Sequence, residues 1–247
     1  MRRLVTIILL VTTCLSCGAQ KRKVQNRPYI DLRPLNFGVS IGLNMQDAEF
    51  RNVGPQMVDM GEDGMAERTV YCDADTWNPG FSVGVAANVR LGQYLSLRIT
   101  PSLHFGSKRL VFRDFDNLSE TGLPRESTQD MKNTYMAVPI DLKFSAERFN
   151  NYRPYMLAGV SPMINLASKD QDYIQLKRFD TMVEVGMGCD LYLPFFKLIP
   201  ELKFCYGLGN VFDKNHASEL TDINKRVFTN SVNRVTTKMF VFTLYFE

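Results

Sequence analysis

Beyond its first nineteen residues the sequence has no run of eighteen apolar residues, which excludes a membrane-spanning helix. Histidine is nearly missing. His104 and His216 are the only two, so acid–base and metal chemistry have little to work with. Cysteine is scarce too. After the N-terminal region only Cys72, Cys189 and Cys205 remain, an odd number at spacings that form neither a disulfide framework nor a metal motif. An excess of one charge is also lacking. Taking Arg2 and Arg3 from the 29 basic residues leaves 27 against 26 acidic ones, which argues against nucleic acid as a partner. No segment carries apolar residues at helical spacing.

What is present begins with an address. "MRRLVTIILLVTTCLSCGAQ" has two arginines, an apolar run from Leu4 to Val11 and then small residues, the pattern of a secretory signal peptide. Cleavage is expected after Ala19. A lipid-attachment box would want leucine three residues before Cys17, and Cys14 stands there instead. Residues 20–34 then read as a periplasmic leader. "QKRKVQNR" carries four positive charges that could meet anionic headgroups, and reads first as a disordered leader. The X-Pro steps of "RPYIDLRPLN" favour extended backbone.

From residue 35 to 247 the dominant signal is alternation. Phe81, Val83, Val85, Ala87 and Val89 are apolar, with Ser82, Gly84, Ala86 and Asn88 between them. The same period of two recurs in "NFGVSIGLNM", "YLSLRITPSLHF", "YMAVPIDLKF", "TMVEVGMGCDLYL", "KLIPELKFCYGL" and "KMFVFTLYFE", and less cleanly in "RPYMLAGVSPMINL", where Pro154 and Pro162 disturb it. A period of two places successive side chains on opposite faces of a strand. The count is eight strands. Short connections follow strands two, four and six; long polar ones, roughly 46–79, 114–132, 168–179 and 213–234, follow the others.

That arrangement predicts an all-β, eight-stranded, antiparallel up-and-down transmembrane β-barrel with long loops outside and tight turns in the periplasm. Several observations favour lipid over water on the apolar face. The strands are long, as a tilted membrane strand must be. The opposite face is rich in Gly, Ala and Ser, as a crowded lumen requires. Phe81, Tyr94, Phe105, Phe144, Tyr152, Phe195, Phe196 and Phe246 gather near strand ends, as an interfacial girdle would. By parity the inward set includes Arg90, Arg98, Asp141, Lys143, Glu184, Asp190, Glu201 and Lys203. An eight-stranded interior is just wide enough to be filled by side chains. These charges are therefore expected to pair as a structural network that plugs the barrel.

Certain blocks say more. "FGVSIGLNMQDAEF", "RLGQYLSLRITP" and "RFNNYRPYMLAGVSP", with "YMAVPIDLKF" and "IPELKFCYGLGN", resemble the PorT (SprT) family of the type IX secretion and gliding machinery of Bacteroidota. The likeness runs from about Phe37 onward. It implies a non-enzymatic outer-membrane component needed for protein secretion, with other type IX components as partners and no cofactor, metal or small-molecule substrate. Arg98 and Arg153 stand in the family-like blocks, one in the lumen and one by a periplasmic turn. The competing readings are a generic small barrel acting as anchor or adhesin through its loops, and a barrel hydrolase. For a hydrolase the only material is Ser102 beside His104 on the inner face, more simply a hydrogen-bonded lumen histidine. His216 reads as solvated. Asp73, Asp75, Glu62 and Asp63 lack the spacing of a calcium loop.

Overall fold

The computed structural model describes residues 25–247 apart from 60–64, 75–77, 119–121, 167–172 and 214–222. The expected signal peptide, Cys17, most of the basic tract, His216, Glu62, Asp63 and Asp75 lie outside the described residues.

The strands are β1 (Leu35–Asn52), β2 (Pro55–Asp59), β3 (Met65–Ala74), β4 (Asn78–Arg90), β5 (Leu95–Ile99), β6 (Ser102–Leu118), β7 (Pro124–Ala137), β8 (Ile140–Ser145), β9 (Tyr152–Asn165), β10 (Phe179–Tyr192), β11 (Lys197–Gly207) and β12 (Val232–Phe246). Together they make eight staves, all paired antiparallel. Along the first, β2 follows β1 after a turn at Gly54, whose φ of 93° suits glycine. The next three staves are β3 with β4, β5 with β6, and β7 with β8. Because β12 pairs with both β11 and β1, the ring is closed. Closure is what lipid demands, since an open edge would leave backbone N–H and C=O groups without partners.

Two of the breaks fall at prolines. Pro101 and Pro139 donate no ladder bond, yet their carbonyls accept from the neighbouring staves: Val85 N–H bonds to Pro101 O at 3.0 Å and Thr100 N–H to Pro139 O at 3.1 Å. The fifth stave, which its prolines made the least regular in sequence, is regular in space. β9 pairs with β10 without a slip from Tyr152 opposite Leu191 to Ile164 opposite Phe179, with Pro154 and Pro162 both facing outward.

Parity sorts the two faces. Val39, Ile41 and Leu43 are exposed on the outside, while Ser40, Asn44 and Gln46 are buried inside. Rings gather at both margins of this apolar band. Phe81 stacks on Phe105 at 4.6 Å toward one end; Phe196 lies 5.9 Å from Phe246, and Phe149 5.7 Å from Tyr152, toward the other.

Above the band the polarity turns over. Outside, β6 passes from Leu103 and Phe105 to Arg109 and Arg113, which pair across the sheet with Asp130 at 2.9 Å and Glu126 at 3.0 Å. Inside, the same strand passes from His104 and Lys108 to Leu110 and Phe112, both fully buried. Water replaces lipid outside, so charges go there and apolar groups retreat inward. Much of what reads as long loops, residues 46–79 and 114–132, is therefore strand. Over residues 46–52 the alternation continues in the opposite sense.

A stopper fills the space enclosed by these extensions. Val70, Cys72, Leu110, Phe112 and Met131 pack with Ile174, Leu176, Phe212 and Val227. Val227 belongs to a helix absent from the sequence reading, α1 (Ile223–Asn230). Its eight residues are too few for a helical period to stand out, and packing holds it: Phe228 meets Phe112 at 5.4 Å and Tyr173 at 5.1 Å.

At the opposite end residues 26–32 form a strap across the mouth rather than extended backbone. Arg27 takes a positive φ of 49°, a 3-10 turn spans Ile30–Leu32, and Ile30 is buried.

The turnover in polarity sets unequal costs for one substitution. Val185→Arg, inside the apolar band, is expected to destabilise the folded barrel by about 2–4 kcal/mol. Thr128→Arg, outward but above the band, is expected to change stability by less than about 0.5 kcal/mol. Urea unfolding of the refolded protein in lipid vesicles measures both.

Candidate functional site: the charged barrel interior

At mid-barrel the side chains of five staves meet on one arginine. Arg98 rises from β5, and neither it nor Glu201 of β11 has any exposed side-chain surface; their charged groups are 2.5 Å apart. Arg98 Nε donates to Asn88 Oδ1 of β4 at 2.8 Å, and Nη1 points to the Tyr155 hydroxyl of β9 at 3.4 Å. The guanidinium lies over the ring of Tyr245 from β12, 4.7 Å from its centroid. Glu201 also accepts from the Tyr245 hydroxyl at 2.9 Å and from that of Tyr155. A charge removed from water costs several kcal/mol unless geometry and hydrogen bonds compensate it. Here both oxygens and two guanidinium nitrogens find partners.

Above this pair, Lys203 Nζ lies among three carboxylates: Glu184 at 3.2 Å, Asp141 at 3.5 Å and Glu201 at 3.8 Å. Room for this cluster comes from Gly159 on β9. A Cβ there would stand 2.2 Å from Asp141 Oδ1 and 2.3 Å from Ile140 O. Below, Lys143 contacts both oxygens of Asp190 at 2.7 and 2.9 Å while its ammonium rests 3.8 Å from the Tyr155 ring centroid. Lys197 continues the chain, 3.8 Å from Asp190 and 2.5 Å from Glu247. Opposite charges thus alternate along the axis.

Seven of the eight residues that parity placed inside meet in this column: Arg98, Asp141, Lys143, Glu184, Asp190, Glu201 and Lys203. Arg90 does not. It is exposed at the rim, where Nε donates to Gly92 O at 3.1 Å, because the strand ends there and its long side chain reaches water. Tyr155, Lys197, Tyr245 and Glu247 belong to the column but were not in the parity set. Tyr155 could have been found by the alternation of β9, had Pro154 not obscured it. Lys197 lies at a strand end, where parity has no pattern to continue.

Ser102 Oγ is 3.0 Å from His104 Nε2. Among the described residues His104 Nδ1 has no hydrogen-bond partner, so none of their carboxylates orients the ring as nucleophilic catalysis requires. Among the described residues no group of three His, Cys, Asp or Glu side chains is arranged to hold a metal.

The strap is tied to the periplasmic mouth by the turn that follows β8. Arg148 donates to the carbonyls of Asn26 and, at 3.3 Å, of Arg27, and its guanidinium lies 3.6 Å from the Tyr192 ring centroid. The Tyr192 hydroxyl donates to Asp31 at 2.7 Å. Arg153 reaches Asp31 at 3.8 Å and donates to Gln93 O at 2.7 Å. The turns at residues 90–94 and 148–153 therefore both border this mouth.

A closed ring of eight staves with a greasy exterior and a paired, charged interior is a β-barrel of the Gram-negative outer membrane. The chain belongs to the outer membrane protein beta-barrel domain family, whose model matches residues 19–213. No curated protein matches the sequence at a significant level. Three solved structures are similar in outline: OprG from Pseudomonas aeruginosa (10% identity, TM-score 0.45, covering 85% of this chain and 93% of that one), Neisserial surface protein A (12%, 0.40, 86% and 98%), and Ail of Yersinia pestis in complex with the heparin analogue sucrose octasulfate (13%, 0.35, 85% and 96%). At these scores the likenesses carry no inference about this chain.

Breaking the central pair exposes its role. Arg98→Met should destabilise the barrel by about 3–5 kcal/mol, because Glu201 is left charged and buried. Adding Glu201→Gln should recover most of that loss. Arg90→Gln should stay within about 0.5 kcal/mol of wild type. Urea unfolding followed by heat-modifiable gel mobility distinguishes the three.

Proposed function

We propose that this chain is a non-enzymatic outer-membrane component of type IX protein secretion, with its plugged barrel as anchor and its periplasmic mouth as the working end. One observation carries the reading. Two of the stretches that resemble the PorT family, "RLGQYLSLRITP" and "RFNNYRPY", lie far apart in sequence yet their turns meet around the strap, where Arg148 and Arg153 grip Asn26, Arg27 and Asp31. The strap leads back into the basic tract "QKRK", which this reading offers to periplasmic partners.

The barrel itself is not the conduit. Arg98 bridges five staves at mid-height, and the apolar stopper closes the outer end. A folded cargo cannot pass such an interior. A second reading, a generic anchor or adhesin, finds support in the staves formed by β2, β3, β6 and β7, which extend beyond the apolar band.

The test is a strain with a type IX system from which this gene is deleted. Proteins bearing the type IX C-terminal signal should accumulate in the periplasm, and the wild-type gene should restore their export. Unchanged export would overturn the secretion reading and leave the anchor or adhesin. The plug has its own test: purified protein in planar bilayers should give no steady ion conductance.

A further inference from the structure

Above the apolar band several outward charges of the wall meet a partner of opposite sign. Arg109 faces Asp130, Arg113 faces Glu126, and Lys238 contacts Glu49 at 2.5 Å. At one position two like charges meet instead. Arg51 of β1 stands directly opposite Arg234 of β12, both exposed on the outer face. Like charges placed directly opposite across a sheet destabilise it. Neither guanidinium has a hydrogen bond or ion pair among the described residues. Glu49, the nearby carboxylate, is held by Lys238 and attracts Arg234 only from a longer range, and Asp47 stands lower, opposite that same lysine.

Height identifies what this pair faces. The last lipid-facing pair on this seam is Met45 with Phe240, and Arg51 lies six residues farther along β1. At a rise near 3.4 Å per residue that is about 20 Å along the strand, or roughly 15 Å of height once the tilt of the staves is allowed for. An outward side chain at that level meets neither acyl chains nor bulk water first, but the sugar and phosphate layer of the outer leaflet. Two forked guanidinium groups side by side suit phosphate or carboxylate oxygens, which accept bidentate hydrogen bonds from arginine.

We infer that Arg51 and Arg234 form a binding site for the anionic headgroup of an outer-leaflet phosphorylated glycolipid, on the seam where the first and last staves close the ring. A glycolipid anion there cancels the repulsion and clamps β1 to β12 from outside. The inference is independent of the secretion reading.

The experiment uses the full mature protein in nanodiscs and fluorescently labelled lipopolysaccharide as probe. Wild type should bind saturably, and thermal unfolding should shift upward with added lipopolysaccharide. The Arg51→Gln/Arg234→Gln variant should bind about tenfold more weakly or worse, having lost two charge-assisted contacts. Without lipopolysaccharide it should unfold no earlier than wild type, because a repulsion has been removed. Arg234→Glu, which gives Arg51 a partner, should also lose binding while keeping the fold. Arg109→Gln, from a matched pair, should bind as wild type does. Equal binding by wild type and the double variant would overturn the site. So would equal competition by inorganic phosphate at concentrations matching the lipopolysaccharide phosphate, since the anion would then need no lipid.

Discussion

The pairing of β1 with β12 is the constraint on which the rest depends. From Val39 opposite Phe246 to Arg51 opposite Arg234 it supplies the seam that makes a sheet into a ring. In lipid an unpaired edge costs several kcal/mol for each exposed backbone group. Once the ring is closed, its inner and outer faces are defined for every stave. The parity of each side chain then has physical consequences, and a slip of one residue would put the charges of the interior into hydrocarbon.

Those charges explain how so narrow a barrel is filled. An apolar interior would make both faces of every strand greasy and leave register weakly specified. Here Arg98 must reach Glu201 and Lys203 must reach Glu184, so each stave is held at one height relative to its neighbours. Buried ion pairs add little net stability over an apolar packing, but breaking one is expensive. Their use in this barrel is selection of one register over its neighbours.

Beyond the membrane the same staves obey the opposite rule. Leu110 and Phe112 turn inward while Arg109 and Arg113 turn outward, and the enclosed space becomes a small water-soluble core with α1 as its lid. The molecule thus carries two interiors on one set of strands, one charged and one apolar. The boundary between them marks where lipid gives way to water.

The sequence alone determined the strands of the apolar band, the number of staves and most of the inward set. A strand's period of two is local, and lipid imposes it over many residues. Seven column members were legible for that reason. Other features depended on neighbours far along the chain. Arg90 and Lys197 both stand at strand ends, yet one reaches water and the other a buried carboxylate. Residues 46–52 kept their alternation but in reversed sense, so they resembled a loop until the sheet was assembled. The fold of the strap and of α1 could not be read locally, since each is held by contacts to residues distant in sequence. Only the tertiary structure decided which charges pair and which, like Arg51 and Arg234, make no ion pair among the described residues. The physical reason is that parity assigns a side chain to a face, whereas its partner depends on what the closed ring brings across from it.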